Sequence, residues 1–406
     1  MSDLKDHKQI GQDLELFFSH DYAPGAPFWL PKGMIIFREL EKYIRELTEN
    51  AGYQEISTPI MVKSKLFEES GHWTKFGQNN MYNLMLSDDE NDKHPQSYTL
   101  KPMNCPEATI VYRFRPRSYK ELPLRLSEIG RLHRREKSGE VNGLLRVRQL
   151  TMDDAHIFAS EDQIFDEVSN ILDMMISFYK NFGFDYELRF ATRPEVYAGT
   201  SENWEKAQKD LVDVIKKRGI KAGDKKGDGA FYGPKIDLHI KDSLGRDWQL
   251  ATVQLDFHMP DAFDLKFVKK DGSFGKPVMI HRAIFGSFER FIGILTEHFQ
   301  GAFPLWLSPI QVMLLPITDK QMDFAKRIEK QLKDIGVRVE VDSKSQTLQA
   351  KIREATLQKV PFLGIIGSKE VESDTVSVRE RDGKDLGTRK MSEFLNKVKN
   401  QIDKKI

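Results

Sequence analysis

The pattern of apolar residues changes character at Pro304 to Pro309, and this change constrains the fold more than any other feature of the chain. Downstream of it, short apolar runs alternate with helical faces. Val312 to Leu315 reads as a strand; Met322, Ala325, Ile328, Leu332 and Ile335 line a helix ended by Gly336; Val337 to Val341 is the next strand. A helix over 347–358, a buried-type strand from Phe362 to Ile366, a hairpin turn at Asp382-Gly383 and a last helix over 391–402 complete the series. Strands and helices in the order βαβαβ predict a self-contained α/β domain over 306–406.

Upstream, residues 1–305 read differently. A helix is predicted over Met34 to Leu47 and a strand over Tyr53 to Thr58, ending at Pro59. The polar stretch 87–97 predicts a surface loop, and Leu122 to Phe158 a β-rich unit with a polar loop, 134–142, between two strands. Helical faces run from Ile164 to Phe182 and from Trp204 to Ile215, ended by Gly183 and Gly219. A turn over 221–229, strands near 236–241 and 247–257, and a helix from Ile284 to Phe299 follow. This reading predicts an α+β domain, separate from the C-terminal one.

Hydrophobic residues make up 39% and charged residues 30%, which fits a globular chain and excludes a disordered one. The formal net charge is +1, so bulk charge carries no nucleic-acid signal and any basic surface is local. No apolar run approaches the ~18–20 residues that span a bilayer, and Met1 to Gln12 contain no signal-peptide core, so we expect a cytoplasmic protein with no membrane partner. Cys105 is the single cysteine, which excludes an intramolecular disulfide.

There is no GxxxxGK[ST] loop and no GxGxxG after a strand, so phosphates, if bound, are not cradled by a glycine-rich turn. Arginine is the alternative, because a guanidinium forks onto phosphate oxygens and stays charged. Arg125, Arg131, Arg134, Arg135, Arg146 and Arg148 fall within 24 residues. On strands, alternate members of this set share a face and would enter one cleft; a solvated charged surface is the competing reading. Glu289 and Arg290 interrupt an apolar helical run, which points to a polar ligand or to an ordinary buried ion pair. Cys105 with His156 and His281 offers a thiolate and two imidazoles, a set suited to a catalytic zinc. The separations, 51 and 125 residues, match no local zinc motif, and a histidine satisfied by a core hydrogen bond competes with that reading.

Taken together, TLKPMNCPEA, LPLRLSEIGRLHRREKSG, GLLRVRQLTMDDAHIF, AFYGPKIDL, WQLATVQLDF and PVMIHRAIFGSFERFIGIL resemble the threonyl-tRNA synthetase branch of the class II aminoacyl-tRNA synthetases, over almost the whole chain. The resemblance implies an α+β fold: an antiparallel-sheet catalytic domain over 1–305, then an α/β anticodon-binding domain over 306–406. It implies a threonine–tRNA ligase that acts through a threonyl-adenylate. Cys105, His156 and His281 would hold one Zn²⁺ per chain. ATP, with Mg²⁺, would meet Arg134 at its α-phosphate and Arg290 at its γ-phosphate. Glu136 would take the adenine amino group, Arg146 would lie near the phosphates, and Gln249, Thr252 and Ser287 would make further contacts. Asp154, Tyr232, Lys235 and Gln254 would form the L-threonine side, and His72, in ESGHW, would serve transfer to tRNA(Thr). The expected partners are tRNA(Thr), a second copy of the chain in a homodimer, and a separate trans-editing deacylase.

The sequence departs from the family at Glu107-Ala108, where many members carry Gly-His or a similar pair, and at Met152, where bacterial members often carry glutamine. The N-terminal domains of the family, including the editing domain, are expected to be absent. A synthetase-like paralogue without catalysis would not need Arg134, Arg290 and the Cys/His/His set together. A sister ligase for proline or serine is opposed by the Cys/His/His set.

Overall fold

The computed structural model describes residues 4–87 and 95–405. The middle of the polar stretch 87–97 therefore lies outside the described residues, while Gln96 and Ser97 already belong to a strand. Contacts divide the chain into two compact units: Ser19–Pro27 with Glu41–Phe291, and Met1–Phe18 with Phe28–Leu40 and Ile292–Ile406.

The first unit is built on one eight-stranded sheet. Its strands and flanking helices, in chain order, follow the long helix α1 (Pro31–Asn50), which belongs in part to each unit. They are β1 (Gln54–Glu55), α2 (Cys105–Arg113), β2 (Leu124–His133), β3 (Gln149–Ala159), α3 (Ile164–Asn181), β4 (Tyr186–Ala191), α4 (Ser201–Lys217), β5 (Ala222–Lys225), β6 (Lys235–Lys241), β7 (Asp247–Asp256) and β8 (Val278–Ser287), after which α5 (Phe288–His298) begins. The strand order is β5-β4-β6-β7-β8-β3-β2-β1. Pairing is antiparallel throughout except at the two edges, β4 with β5 and β1 with β2.

α3 covers part of the sheet because its apolar residues fall on one stripe: Ile164, Val168, Ile171, Leu172, Met175, Phe178 and Tyr179 are all buried. Phe178 stacks on Phe285 of β8, with ring centroids 5.5 Å apart, and meets Phe291 at 5.4 Å. Fully burying one such ring stabilises by roughly 2–3 kcal/mol, so this aromatic cluster is a main anchor of the sheet.

Three local expectations are corrected here. The apolar run from Ile284 is not helical until Phe288; Ile284 to Ser287 continue β8. Apolar residues suit a buried strand and a helix equally, and the switch occurs at Gly286, whose φ of +78° places it in the left-handed region. A Cβ there would also stand 2.9 Å from the carbonyl oxygen of Leu250. Within the turn predicted at 221–229, residues 222–225 pair with β4 as an edge strand. Of the strand predicted from Tyr53 to Thr58, only Gln54 and Glu55 pair.

The second unit carries a five-stranded sheet. Its elements are β9 (Val312–Pro316), α6 (Met322–Asp334), β10 (Val339–Val341), α7 (Leu348–Leu357), β11 (Phe362–Ile366), β12 (Thr375–Glu380), β13 (Asp385–Lys390) and α8 (Met391–Asp403). β10, β9 and β11 are parallel, and β12 and β13 complete the sheet as an antiparallel hairpin around Asp382-Gly383. Val312, Leu314, Ile328, Leu332, Phe362, Val376 and Phe394 form its core. β9 and β11 are apolar runs because both of their faces are covered, whereas the edge strand β10 carries the exposed Glu340.

Candidate active site

The strand pairing lays the chemistry out in two rows. His156 of β3 lies opposite His281 of β8, which lies opposite Gln254 of β7, which lies opposite Lys235 of β6. Two residues along each strand, the second row reads Asp154, Ala283, Thr252 and Asp237. Because side chains alternate, both rows emerge on one face. β7 carries a bulge opposite Leu238 and His239, and the extra residue, Leu250, puts Gln249 on the same face as Thr252 and Gln254. The face floors a cavity of about 440 Å³. Of the residues predicted from sequence, Arg134, Gln249, Thr252, Ser287, Arg290, Asp154, Tyr232, Lys235, Gln254, Cys105, His156 and His281 line it.

Cys105 begins α2, and its side chain reaches the first row. One ligand atom each from Cys105, His156 and His281 lies within 4.8 Å of the others. Zinc bonds of ~2.0–2.3 Å in a tetrahedron place ligand atoms ~3.3–3.8 Å apart, so the set fits with small closure. The surroundings fit too. His281 Nε2 lies 2.8 Å from Asp256 Oδ2, which leaves Nδ1 as the free ligand nitrogen. Asp256, fully buried, also accepts from the backbone N–H groups of His258 and Met259. Burial holds His156 well below the usual imidazole value, so it stays neutral and able to ligate. Burial, followed by Asp154, Glu107 and Asp256, pushes the Cys105 thiol up. A bound cation would reverse that shift, since a coordinating thiol is deprotonated.

Beside the metal set, Tyr232 stacks on His281, with centroids 4.6 Å apart at 23°, and donates to Gln254 Oε1 at 2.6 Å. Asp154 accepts from Asn104 Nδ2 at 3.1 Å, and burial raises its carboxyl to about 6. Two carboxylates behind this wall were not found from sequence: Asp256, described above, and Asp237. Asp237 is fully buried and takes Lys235 Nζ at 2.5 Å, Thr252 Oγ1 at 2.7 Å and Gln249 Nε2 at 2.9 Å. Neither carried a sequence signal of its own: Asp237 alternates with Lys235, His239 and Lys241 along its strand, and Asp256 closes the next one.

Of the six clustered arginines, Arg134 lines the cavity, whereas Arg125 pairs with Glu167 and Arg146 with Glu136 and Glu140 outside the lining. Arg134 Nε donates to the Pro102 carbonyl at 3.2 Å. Burial lowers its guanidinium value, countered by Glu136 and then Tyr232. Arg290 donates to the carbonyls of Leu145 and Gln249 at 2.9 and 3.4 Å, and its guanidinium sits 5.4 Å from the Trp248 ring. Burial, then Arg134 and Arg146, brings it down to about 10, which leaves it charged at neutral pH. Glu289 does not pair with Arg290. Successive helix residues diverge by about 100°, and Glu289 instead accepts the backbone N–H of Thr151 at 2.8 Å.

Three predicted residues stand outside the cavity lining. His72 is fully buried, with Nδ1 2.8 Å from Ser70 Oγ and Nε2 3.5 Å from Cys105 Sγ; burial takes it down to about 3. Arg146 pairs with Glu136 at 2.8 Å and Glu140 at 3.0 Å. Both Arg146 and Glu136 lie close enough to Arg290 to influence its ionisation. Of the departures noted in sequence, Met152 lines the cavity, while Glu107 is buried with both carboxyl oxygens lacking a partner among the described residues. Burial raises Glu107 to about 8.

Residues 83–299 match the family described as tRNA synthetase class II core domain (G, H, P, S and T), and residues 311–401 match the family described as anticodon binding domain. The chain is 50% identical over 402 residues to the threonine–tRNA ligase of Syntrophomonas wolfei subsp. wolfei, covering 99% of this chain and 62% of the relative. It is 48% identical over 401 residues to that of Acetivibrio thermocellus, with the same two coverages. It thus spans 62% of the length of these curated relatives. The crystal structure titled as the RNA binding domain of threonyl-tRNA synthetase from Cryptosporidium parvum Iowa II superposes with a TM-score of 0.92 at 37% identity, over 98% of each chain. Prolyl-tRNA synthetase from Cryptosporidium parvum, complexed with L-proline and AMP, superposes at 0.74 over 98% of this chain and 75% of that one. At 18% identity the likeness is one of fold.

Proposed function

Since the chain belongs to the threonyl-tRNA synthetase family of the class II aminoacyl-tRNA synthetases, we propose that it ligates L-threonine to tRNA(Thr) through a threonyl-adenylate. The observation that carries this reading is the convergence of Cys105, His156 and His281 with Arg134 and Arg290 on one cavity. The functional boundary we propose lies between residues 305 and 306, with the anticodon read by the C-terminal part.

In this reading the chain binds one zinc on Cys105, His156 and His281. A zinc held by these residues would supply a Lewis-acid centre for the amino and hydroxyl groups of threonine, and valine, which lacks the hydroxyl and which an apolar pocket alone separates by only ~100-fold, would leave that centre unsatisfied. Asp154, Tyr232, Lys235 and Gln254 orient the amino acid. ATP enters with Mg²⁺. Arg134 bridges the reacting carboxylate and the α-phosphate, two anions that otherwise repel, and Arg290 holds the γ-phosphate of the departing pyrophosphate. Gln249, Thr252 and Ser287 add contacts to the nucleotide side. Binding of adenine to Glu136 exchanges its ion pair with Arg146, which then turns to the phosphates. His72 serves transfer to the tRNA.

Serine presents the same two groups and lacks one methyl, which a pocket discriminates by only ~10–200-fold. We therefore include a separate Ser-tRNA deacylase among the partners, with a homodimer and a cytoplasmic location. The test is charging of purified tRNA(Thr) with labelled threonine, ATP and Mg²⁺. Threonine esterified to tRNA is expected; adenylate formation without charging would remove the transfer step from this chain.

A further inference from the structure

Asp237 stands behind the cavity wall at the meeting point of three polar side chains, Lys235, Gln249 and Thr252, and Gln254 joins them through Thr252. The directions of these hydrogen bonds are set by chemistry. A carboxylate beside an ammonium accepts and does not donate, so the Thr252 hydroxyl must spend its one proton on Asp237 Oδ1, at 2.7 Å. Thr252 Oγ1 can then only accept from Gln254, 3.2 Å away, which brings the amide nitrogen of Gln254 to it. The amide oxygen of Gln254 is thereby turned toward the Tyr232 hydroxyl, which donates to it at 2.6 Å. The Tyr232 ring is the one stacked on His281. Asp237 Oδ1 also accepts from Gln249 Nε2 at 2.9 Å, and Oδ2 accepts from Lys235 Nζ at 2.5 Å.

We propose that Asp237 is a positioning residue: as the shared terminal acceptor, it fixes the direction of the chain from Tyr232 through Gln254 to Thr252, and holds Lys235 and Gln249 in the same act. It presets the amino-acid side and the nucleotide side of the cavity from one buried point. The proposal rests on the reading of this cavity as the threonine and ATP site. Exposure does not explain the cluster: Asp237 is at 0% and Lys235 at 7% of their accessible areas, and buried charges persist only where each is paired.

In the full-length chain, Asp237→Asn supplies an amide that can donate where the carboxylate only accepts, so the chain can run in either direction. Losing a hydrogen bond to a charged group corresponds to about 10–100-fold. Threonine-dependent ATP–pyrophosphate exchange is therefore expected to show the KM for threonine and the KM for ATP rising together by about 10-fold or more. Zinc content by elemental analysis should stay at the wild-type level. A merely structural role would instead lower kcat through a smaller active fraction and leave both KM values unchanged, and that result overturns the proposal. Thr252→Val and Thr252→Ser carry the test should Asp237→Asn fail to fold. The valine variant cuts the chain and should raise the KM for threonine, and the serine variant restores the hydroxyl and should return it to within a few-fold of wild type. Wild-type KM for threonine in Thr252→Val overturns the proposal while leaving the functional reading intact. No exchange by the wild type with any amino acid overturns the functional reading and this proposal with it.

Discussion

Arg290→Ala isolates the contribution of one preorganised charge. The guanidinium is held in place before any ligand arrives: Nε and Nη1 are committed to the carbonyls of Leu145 and Gln249, and the plane lies over Trp248. Nη2 remains unengaged among the described residues and is free for an anion. At about 10, its ionisation lies three pH units above neutrality, so the charge is present throughout the assay range. Removing one such preorganised contact typically costs ~10²–10³ in rate, or about 2.7–4 kcal/mol of transition-state stabilisation. The cost to the fold is read separately, by thermal melting, because the carbonyls of Leu145 and Gln249 each lose a donor. Arg290→Lys keeps the charge but loses the fork, and is expected to fall between Ala and wild type. The assay is kcat/KM for ATP in threonine-dependent pyrophosphate exchange, with zinc content and thermal melting as controls. An Arg290→Ala protein that is folded, zinc-loaded and within a few-fold of wild type would refute the reasoning.

The wild-type chain is expected to co-purify with one zinc and Cys105→Ser to lose it, measured by elemental analysis; an active wild-type preparation free of zinc would contradict the ligand assignment. Burial raises Glu289 from the ordinary 4.5 to about 7, ahead of the opposing backbone N–H of Thr151. Its folded-state value lies above its unfolded one, so the folded protein holds the proton longer, and stability falls as pH rises from 4.5 to about 7. Glu289→Gln keeps the acceptor for Thr151 and removes this loss, so the variant should gain on wild type by up to about 3 kcal/mol between pH 5 and 8 in urea unfolding; a pH-independent difference would refute the assignment. Lys101→Met leaves Glu128 buried without its ammonium, 2.8 Å away in the native pair, and should cost about 3–5 kcal/mol; a loss below about 1 kcal/mol would show that Thr58, which also donates to Glu128, suffices.

Much of this was legible in the chain because periodicity reports burial. The apolar stripe of α3 and the strand–helix alternation after Val312 follow from which face must leave water. The run after Ile284 was misread because a strand covered on both faces has no alternation to distinguish it from a helix. The last helix, predicted over 391–402, forms as α8 directly after Arg389 and Lys390 close β13. Cys105, His156 and His281 meet only through strand register and the start of α2, which no local spacing encodes. Asp237 and Asp256 were invisible because a buried acid differs from a surface acid only in its partners, and those partners come from other strands or from the turn that follows.

The central claim is that this cavity activates threonine. ATP–pyrophosphate exchange by the purified chain, run separately with each of the twenty amino acids, tests it most directly. Exchange is expected with threonine, with serine about 10–200-fold weaker, and at background with valine and proline. Exchange driven by proline, or by valine at the level of serine, would contradict it.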